Sequence, residues 1–213
     1  SGTVLSEVPE FQVTEEELRA VTESFAGDYM QVPPMYSALK VNGKKLYELA
    51  REGKTVERKP RPVHFYEIEI LDIDFPLVRF RVTCSKGTYI RTLCHDIGEK
   101  LGCGAAMETL LRTKVGRFTL DDAITLAQTE EAVRNGEIEQ RILGIEEILA
   151  EYPRVCCTKE GDRLLANGNP LVQALVNAEE KDGWIRMCNS EGSFAGVYQW
   201  DEKRDRYFPV KMF

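Results

Sequence analysis

No apolar run in this 213-residue chain approaches the roughly 20 residues that a membrane-spanning helix needs, so no segment reads as a transmembrane helix. The first apolar residues are scattered among Glu and Pro, which is not a secretory pattern, and a cytoplasmic setting is expected. Histidine is scarce, with only His64 and His95, and none of the six cysteines forms a Cys-x-x-Cys pair, so no zinc-binding spacing is present. The thiols are expected to be free and mostly buried. Cys156 and Cys157 are adjacent and would face opposite sides of a strand, which argues against a shared metal. The chain also lacks G-x-G-x-x-G, P-loop, H-E-x-x-H and G-x-S-x-G patterns, which removes the common dinucleotide, nucleotide triphosphate, zinc-protease and serine-hydrolase readings.

Enough remains to build a core. Hydrophobic residues are 43% and charged residues 30% of the chain, ordinary globular usage, and the length suits one large domain with a small appendage. The net charge of −7 argues by itself against a nucleic-acid partner, but its distribution argues the other way. Between Gln31 and Arg61 eight Lys/Arg face three acids, and between Arg79 and Arg117 eight again face three. Two segments of local charge +5 leave −17 for the remainder. Such segregation fits one phosphate-facing surface, although solvated helix and strand faces would also produce it.

Thr14-x-x-Glu17 is a capping-box pattern, with Leu18, Val21 and Phe25 following at helical spacing and Gly27 placed to close the helix. Pro33-Pro34 then forbids helix and central strand, Asn42-Gly43 marks a turn, and residues 46–51 read as a short helix closed by Gly53. A proline-fixed loop bearing Met35, Tyr36 and lysines suits a contact surface. Residues 62–71 and 77–85 alternate as two antiparallel strands, with Val78, Phe80, Val82 and Cys84 on one side. The second strand runs through SKGTYIRTL into an amphipathic helix on Ile90, Leu93, Cys94, Ile97 and Leu101, ended by Gly102. Residues 109–113 read as a strand, and residues 120–151 as helix-rich. Beyond Pro153 short apolar runs alternate with turns, and residues 184–188 and 194–200 form a hairpin pattern within a β-rich tail.

Gly87 permits a tight turn from strand to helix, which exposes Tyr89 and Arg91 at a sheet edge. A guanidinium there pairs with carboxylate or phosphate and a phenol stacks on a base, but a helix-start arginine beside a half-buried tyrosine is an equally good account. His95-Asp96 reads as a surface or packing pair, because neighbouring helical residues point about 100° apart.

The runs QVPPMYSALKVNGKKLYELAREG and CSKGTYIRTLCHDIGEKLGCGA, followed by LLRTKVGRF, closely resemble the TruB family of bacterial tRNA pseudouridine synthases. GNPL, FAGVYQW and FPVKMF resemble that family's small PUA-like RNA-binding appendage. The resemblance implies an α+β fold. It comprises a mixed, mainly antiparallel pseudouridine-synthase sheet with flanking helices over residues 1–151, and a β-rich PUA-like domain over residues 152–213. It implies isomerisation of the T-loop uridine U55 by base flipping, glycosidic cleavage and rejoining through C5. No metal or organic cofactor is implied. The partner is the tRNA T-arm, with no membrane and no obligate protein partner. Carried over by motif, Arg91 would pair with the nucleophilic aspartate, Tyr89 would contact the flipped nucleotide, and Leu110 would wall the uracil. Lys40, Lys44, Lys45, Lys86 and Arg112 would meet RNA phosphates.

The family's aspartate stands in a G-x-L-D-P-x-A-[TS]-G motif, and this chain contains no Leu-Asp-Pro. Its opening SGTVLSEV resembles a D-x-x-G-x-V-L stretch that follows that motif. The expectation is a truncated piece, inactive alone and prone to self-association through uncovered apolar surface. The alternative is a non-catalytic RNA-binding or tRNA-chaperone module.

Overall fold

The computed structural model describes residues 10–177 and 180–213, and the opening SGTVLSEV lies outside the described residues. Two compact units divide between Val115 and Gly116. The boundary expected at 151/152 falls inside the second unit, just before its sheet begins at Arg154.

In the first unit, α1 (Glu15–Glu23) starts at the expected capping box: the Thr14 hydroxyl accepts from the Glu17 amide at 3.2 Å, and the Glu17 carboxylate accepts from the Thr14 amide at 2.9 Å. The helix stops at Ser24, and Gly27 opens the next strand instead of closing the helix. That strand, β1 (Gly27–Gln31), pairs antiparallel with β4 (Arg61–Asp74), which pairs with β5 (Leu77–Cys84), so the sheet order is β1-β4-β5. Two bulges in β4 leave Tyr66 and Leu71 as extra residues, and both are exposed. Elsewhere the alternation holds, and Val78, Phe80, Val82 and Cys84 pack on the core side. That core is Leu18, Phe25, Val63, Phe65, Leu93 and Ile97, supplied by the sheet, by α1 with its C-terminal turn, and by α3 (Ile90–Leu101), which Gly102 closes.

Between β1 and β4 lie a small hairpin, β2 (Lys40–Val41) and β3 (Lys44–Lys45), and the helix α2 (Leu46–Arg51). Asn42 and Gly43 both take positive φ, 51° and 81°, as a two-residue hairpin turn of the primed type requires. The strand expected over residues 109–113 is a correction. Residues 104–113 carry no regular structure, and extended pairing begins only at β6 (Lys114–Val115). The reason is visible in Leu110 and Leu111, which are consecutive yet 56% and 69% exposed: alternation without a face to bury gives a strand no stabilisation.

The second unit begins with β7 (Phe118–Thr119), α4 (Leu126–Arg134), a 3-10 turn (Ile138–Arg141) and α5 (Ile145–Ile148), the expected helix-rich stretch. The β-rich tail follows: β8 (Arg154–Cys156), α6 (Asp162–Ala166), β9 (Leu171–Val172), a 3-10 turn (Gln173–Leu175), β10 (Trp184–Cys188), β11 (Phe194–Asp201) and β12 (Arg206–Met212). The sheet order is β8-β10-β11-β12-β9, antiparallel except for the parallel β8/β10 pair. Its core includes Leu171, Ile185, Met187, Tyr198 and Tyr207, each at most 1% exposed. The α+β class with mainly antiparallel sheets is therefore the observed one. All six cysteines are free, but only Cys94, Cys157 and Cys188 are buried, fewer than expected.

Candidate active site

The turn between β5 and α3 is fixed by two hydroxyls, one bonded within the turn and one to the neighbouring strand β4. The Ser85 hydroxyl accepts from the His64 amide at 2.9 Å, and the Thr88 hydroxyl donates to the Ser85 carbonyl at 2.8 Å. Gly87 takes φ 83° within it, and Tyr89 becomes the N-cap of α3, its carbonyl accepting from the Thr92 and Leu93 amides. Arg91 therefore sits in the first turn with its side chain exposed. Its guanidinium donates to the Tyr36 carbonyl at 2.7 Å and, among the described residues, pairs with no carboxylate.

The loop of residues 32–37 is held at two further points, one at the helix start through Gln31 and one through Arg58. The Gln31 carboxamide accepts from the Tyr89 amide at 2.8 Å and donates to the Tyr89 carbonyl at 3.1 Å. The Arg58 guanidinium donates to the Pro33 carbonyl at 3.0 Å. Between loop and helix opens a cleft of about 450 Å³, lined by Val32, Pro34, Met35, Arg58, Arg91, Thr92, His95 and Asp96. Its polar lining is incompletely matched: Thr92 Oγ1 and Arg58 Nε are buried without a hydrogen-bond partner among the described residues, as is Ser37 Oγ in the same loop.

Asp96 is committed elsewhere, since it accepts from the Tyr29 hydroxyl at 2.9 Å. Burial, then that bond and the carboxylate's charge, push the Tyr29 phenol up to about 12. His95-Asp96 is thus not an acid-base pair, in line with the packing reading.

The structure brings Tyr89 and Arg91 together with the Met35-Tyr36 loop, and it does not bring Leu110 or Arg112 to the cleft. Those two are exposed in the irregular segment. Lys86 is exposed on the turn before α3. Lys40 and Lys45 face each other across the β2/β3 ladder, and Val41 faces Lys44. Like charges placed directly opposite repel, a cost that a polyanion would remove. Lys44 meets Glu52 at 3.6 Å and Lys45 Nζ meets the Tyr47 hydroxyl at 3.3 Å. The hairpin is linked to the cleft through the loop, because the Ser37 carbonyl accepts from the Tyr47 amide and the Leu39 carbonyl from the Leu46 amide. Sequence reasoning missed Gln31 and Arg58. Their only sequence signal is position: Gln31 opens the Q-V-P-P run, and Arg58 stands in a basic stretch that reads as solvated.

Residues 1–90 match the N-terminal domain of TruB family pseudouridylate synthases, and residues 91–150 match the tRNA pseudouridylate synthase B C-terminal domain. The tRNA pseudouridine synthase B of Lachnoclostridium phytofermentans is 48% identical over 205 residues, covering 90% of this chain and 66% of that protein. The enzyme of the same name from Clostridium tetani is 41% identical over 198 residues, covering 93% and 67%. The chain thus spans about two thirds of the length of these curated relatives. A crystal structure of a Cbf5-Nop10-Gar1 complex contains a chain of the same fold, with a TM-score of 0.68 and 24% identity over 94% of this chain and 62% of that one.

Proposed function

The chain belongs to the TruB family of pseudouridylate synthases, and from that premise we propose that the protein isomerises uridine to pseudouridine in tRNA, with the T-loop uridine U55 as its target. The observation that carries this reading is Arg91: an exposed guanidinium in the first turn of α3, held by one backbone carbonyl, beside Tyr89 at the helix start. A fork of that kind is suited to hold a carboxylate ionised and oriented by paired, charge-assisted bonds. That carboxylate is the nucleophilic aspartate of the G-x-L-D-P motif, which these 213 residues do not contain.

The target uridine is flipped out of the T-loop, which makes C1′, N1 and C5 accessible. The bond between N1 and C1′ breaks, the uracil turns, and a bond forms between C5 and C1′. N1 gains a proton and C5 loses one. Tyr89 contacts the flipped nucleotide, and by motif Leu110 walls the uracil. No metal or organic cofactor enters these steps. Lys40, Lys44 and Lys45 on the hairpin, with Lys86 and Arg112, contact phosphates of the T-arm and supply the salt-sensitive part of binding. Residues 152–213 act as the PUA-like RNA-binding domain, and residues 1–151 as the catalytic portion. The polypeptide alone performs no turnover, because covalent catalysis does not survive loss of its nucleophile. Its exposed Leu110, Leu111, Leu126 and Ile142 favour self-association.

The test is release of tritium from C5-labelled uridine in tRNA by the complete protein. Arg91→Ala is expected to abolish release while leaving RNA binding within a few-fold of the parent, and near-parental turnover would refute the role of Arg91. The opposed Lys40 and Lys45 also suit a non-catalytic tRNA-chaperone module. Tight T-arm binding with no release by the complete protein would select that reading.

A further inference from the structure

We infer that Gln31 is a positioning residue for Tyr89 and Arg91, an inference that rests on the proposed reaction. Gln31 is the last residue of β1 and is 1% exposed. A buried carboxamide is costly unless both its ends are bonded, and here the backbone amide and carbonyl of one residue, Tyr89, satisfy both. Oε1 takes the Tyr89 amide at 2.8 Å and Nε2 gives to the Tyr89 carbonyl at 3.1 Å. The orientation is unambiguous, because the flipped amide would set donor against donor and acceptor against acceptor.

The consequence reaches Arg91 by two routes. Along the chain, the clamp holds Tyr89 at φ −105° and ψ 106°, and this sets where α3 begins and how the Arg91 side chain leaves its first turn. Through space, Gln31 is followed by Val32-Pro33-Pro34, whose rings stiffen the path to Tyr36, and the Tyr36 carbonyl receives the Arg91 guanidinium. Gln31, Tyr89, Arg91 and Tyr36 thus form one closed circuit of chain and hydrogen bonds. Arg58 fastens that circuit at Pro33. An apolar side chain of similar volume would fill the position, but it would leave the Tyr89 amide without its acceptor, take one of three donors from the Tyr89 carbonyl, and free the loop to drift from the helix. Displacement of a reacting group by about 1 Å is enough to lower rate by roughly 100-fold.

The experiment compares Gln31→Glu and Gln31→Met with the parent in the complete protein, using Leu18→Ala as a reference that weakens the same core away from the loop. In Gln31→Glu one oxygen still accepts the Tyr89 amide while the other opposes the Tyr89 carbonyl; in Gln31→Met both bonds are lost. Both are expected to lower kcat by about 10-fold or more with KM for tRNA within about threefold, below the melting range of each. Leu18→Ala is expected to lower Tm alone. A folded Gln31 variant with kcat within about twofold of the parent, or with no greater loss than Leu18→Ala at matched Tm, would overturn the inference. Hydrogen exchange of the Tyr89 amide in the parent chain supplies a readout that needs neither activity nor a folded variant. Protection like that of the sheet supports the clamp, and exchange at the rate of an exposed loop overturns it. An inactive parent whose Tyr89 amide is protected would sink the proposed reaction and leave the clamp standing.

Discussion

The two units satisfy their polar groups differently. In the first unit, Ser37 Oγ, Arg58 Nε and Thr92 Oγ1 are buried without partners among the described residues, and all three belong to the loop-and-helix cleft or its approach. In the second, only Thr158 Oγ1 is so placed, while Asp162 accepts from the Ser190 amide, the Ser190 hydroxyl and the Cys157 thiol. The second unit closes its sheet around large side chains that are entirely buried, including Tyr198 and Tyr207. Unmatched polar atoms cost free energy, and they are tolerated where a site awaits a partner more readily than in scaffold. The difference is that the first unit leaves its unmatched polar atoms around one cleft, while the second turns its polar side chains on one another.

The comparison breaks most visibly if the units do not unfold separately. Phe65 is 1% exposed in the first core, and Phe65→Ala is expected to cost that unit about 3–5 kcal/mol. Both tryptophans, Trp184 and Trp200, lie in the second unit, so urea unfolding followed by circular dichroism should shift while the tryptophan fluorescence curve stays. Equal shifts would show a single cooperative structure.

A smaller effect tests close packing in each unit. A Cβ on Gly98 would sit 2.1 Å from the Ala105 backbone nitrogen, and one on Gly196 would sit 2.5 Å from the Lys211 carbonyl oxygen. Gly98→Ala and Gly196→Ala should each destabilise by about 1–3 kcal/mol, each seen by the probe of its own unit. An unaffected Gly98→Ala would mean that residues 104–105 do not rest on α3.

Next comes alkaline behaviour. The Tyr29 phenol is held protonated up to about 12, so its contribution to stability is complete below about 10 and is lost as pH rises from about 10 to 12. Tyr29→Phe should remove that loss from the pH profile of first-unit unfolding, at a cost of about 0.5–1.5 kcal/mol for the bond to Asp96. A profile unchanged in slope would deny the coupling. The smallest effect is kinetic: burial pushes the Cys157 thiol up to about 12 and the Cys188 thiol up to about 11, which leaves little thiolate at pH 8. Mass spectrometry of the folded chain during alkylation should find both labelled after Cys84, Cys103 and Cys156.

Local features were legible where a short-range rule decides them. The capping box at Thr14, the turn at Asn42-Gly43, α2 and its closing glycine, and the β5-to-α3 junction each need only a few neighbouring residues. Residues 109–113 misled because alternation signals a strand only if a face is buried, and burial is a property of the whole unit. Part of the site was readable in the same way. Tyr89 and Arg91 stood out at a strand-to-helix turn, and the lysines stood out as a cluster of charge.

Gln31 and Arg58 did not stand out, since their roles lie in bonds to residues 58 and 25 positions away. By itself the sequence determined the family, the α+β class, most of the elements and the residue types available for RNA and carboxylate recognition. Periodicity, capping and motif wording are local, and they survive in a linear string. Only the tertiary structure decided which carbonyl receives Arg91, that Asp96 serves Tyr29, that Lys40 opposes Lys45, and that a buried amide ties the loop to the helix. Each of these depends on two distant segments being brought within hydrogen-bond or ladder distance, and that proximity exists only once the core has closed.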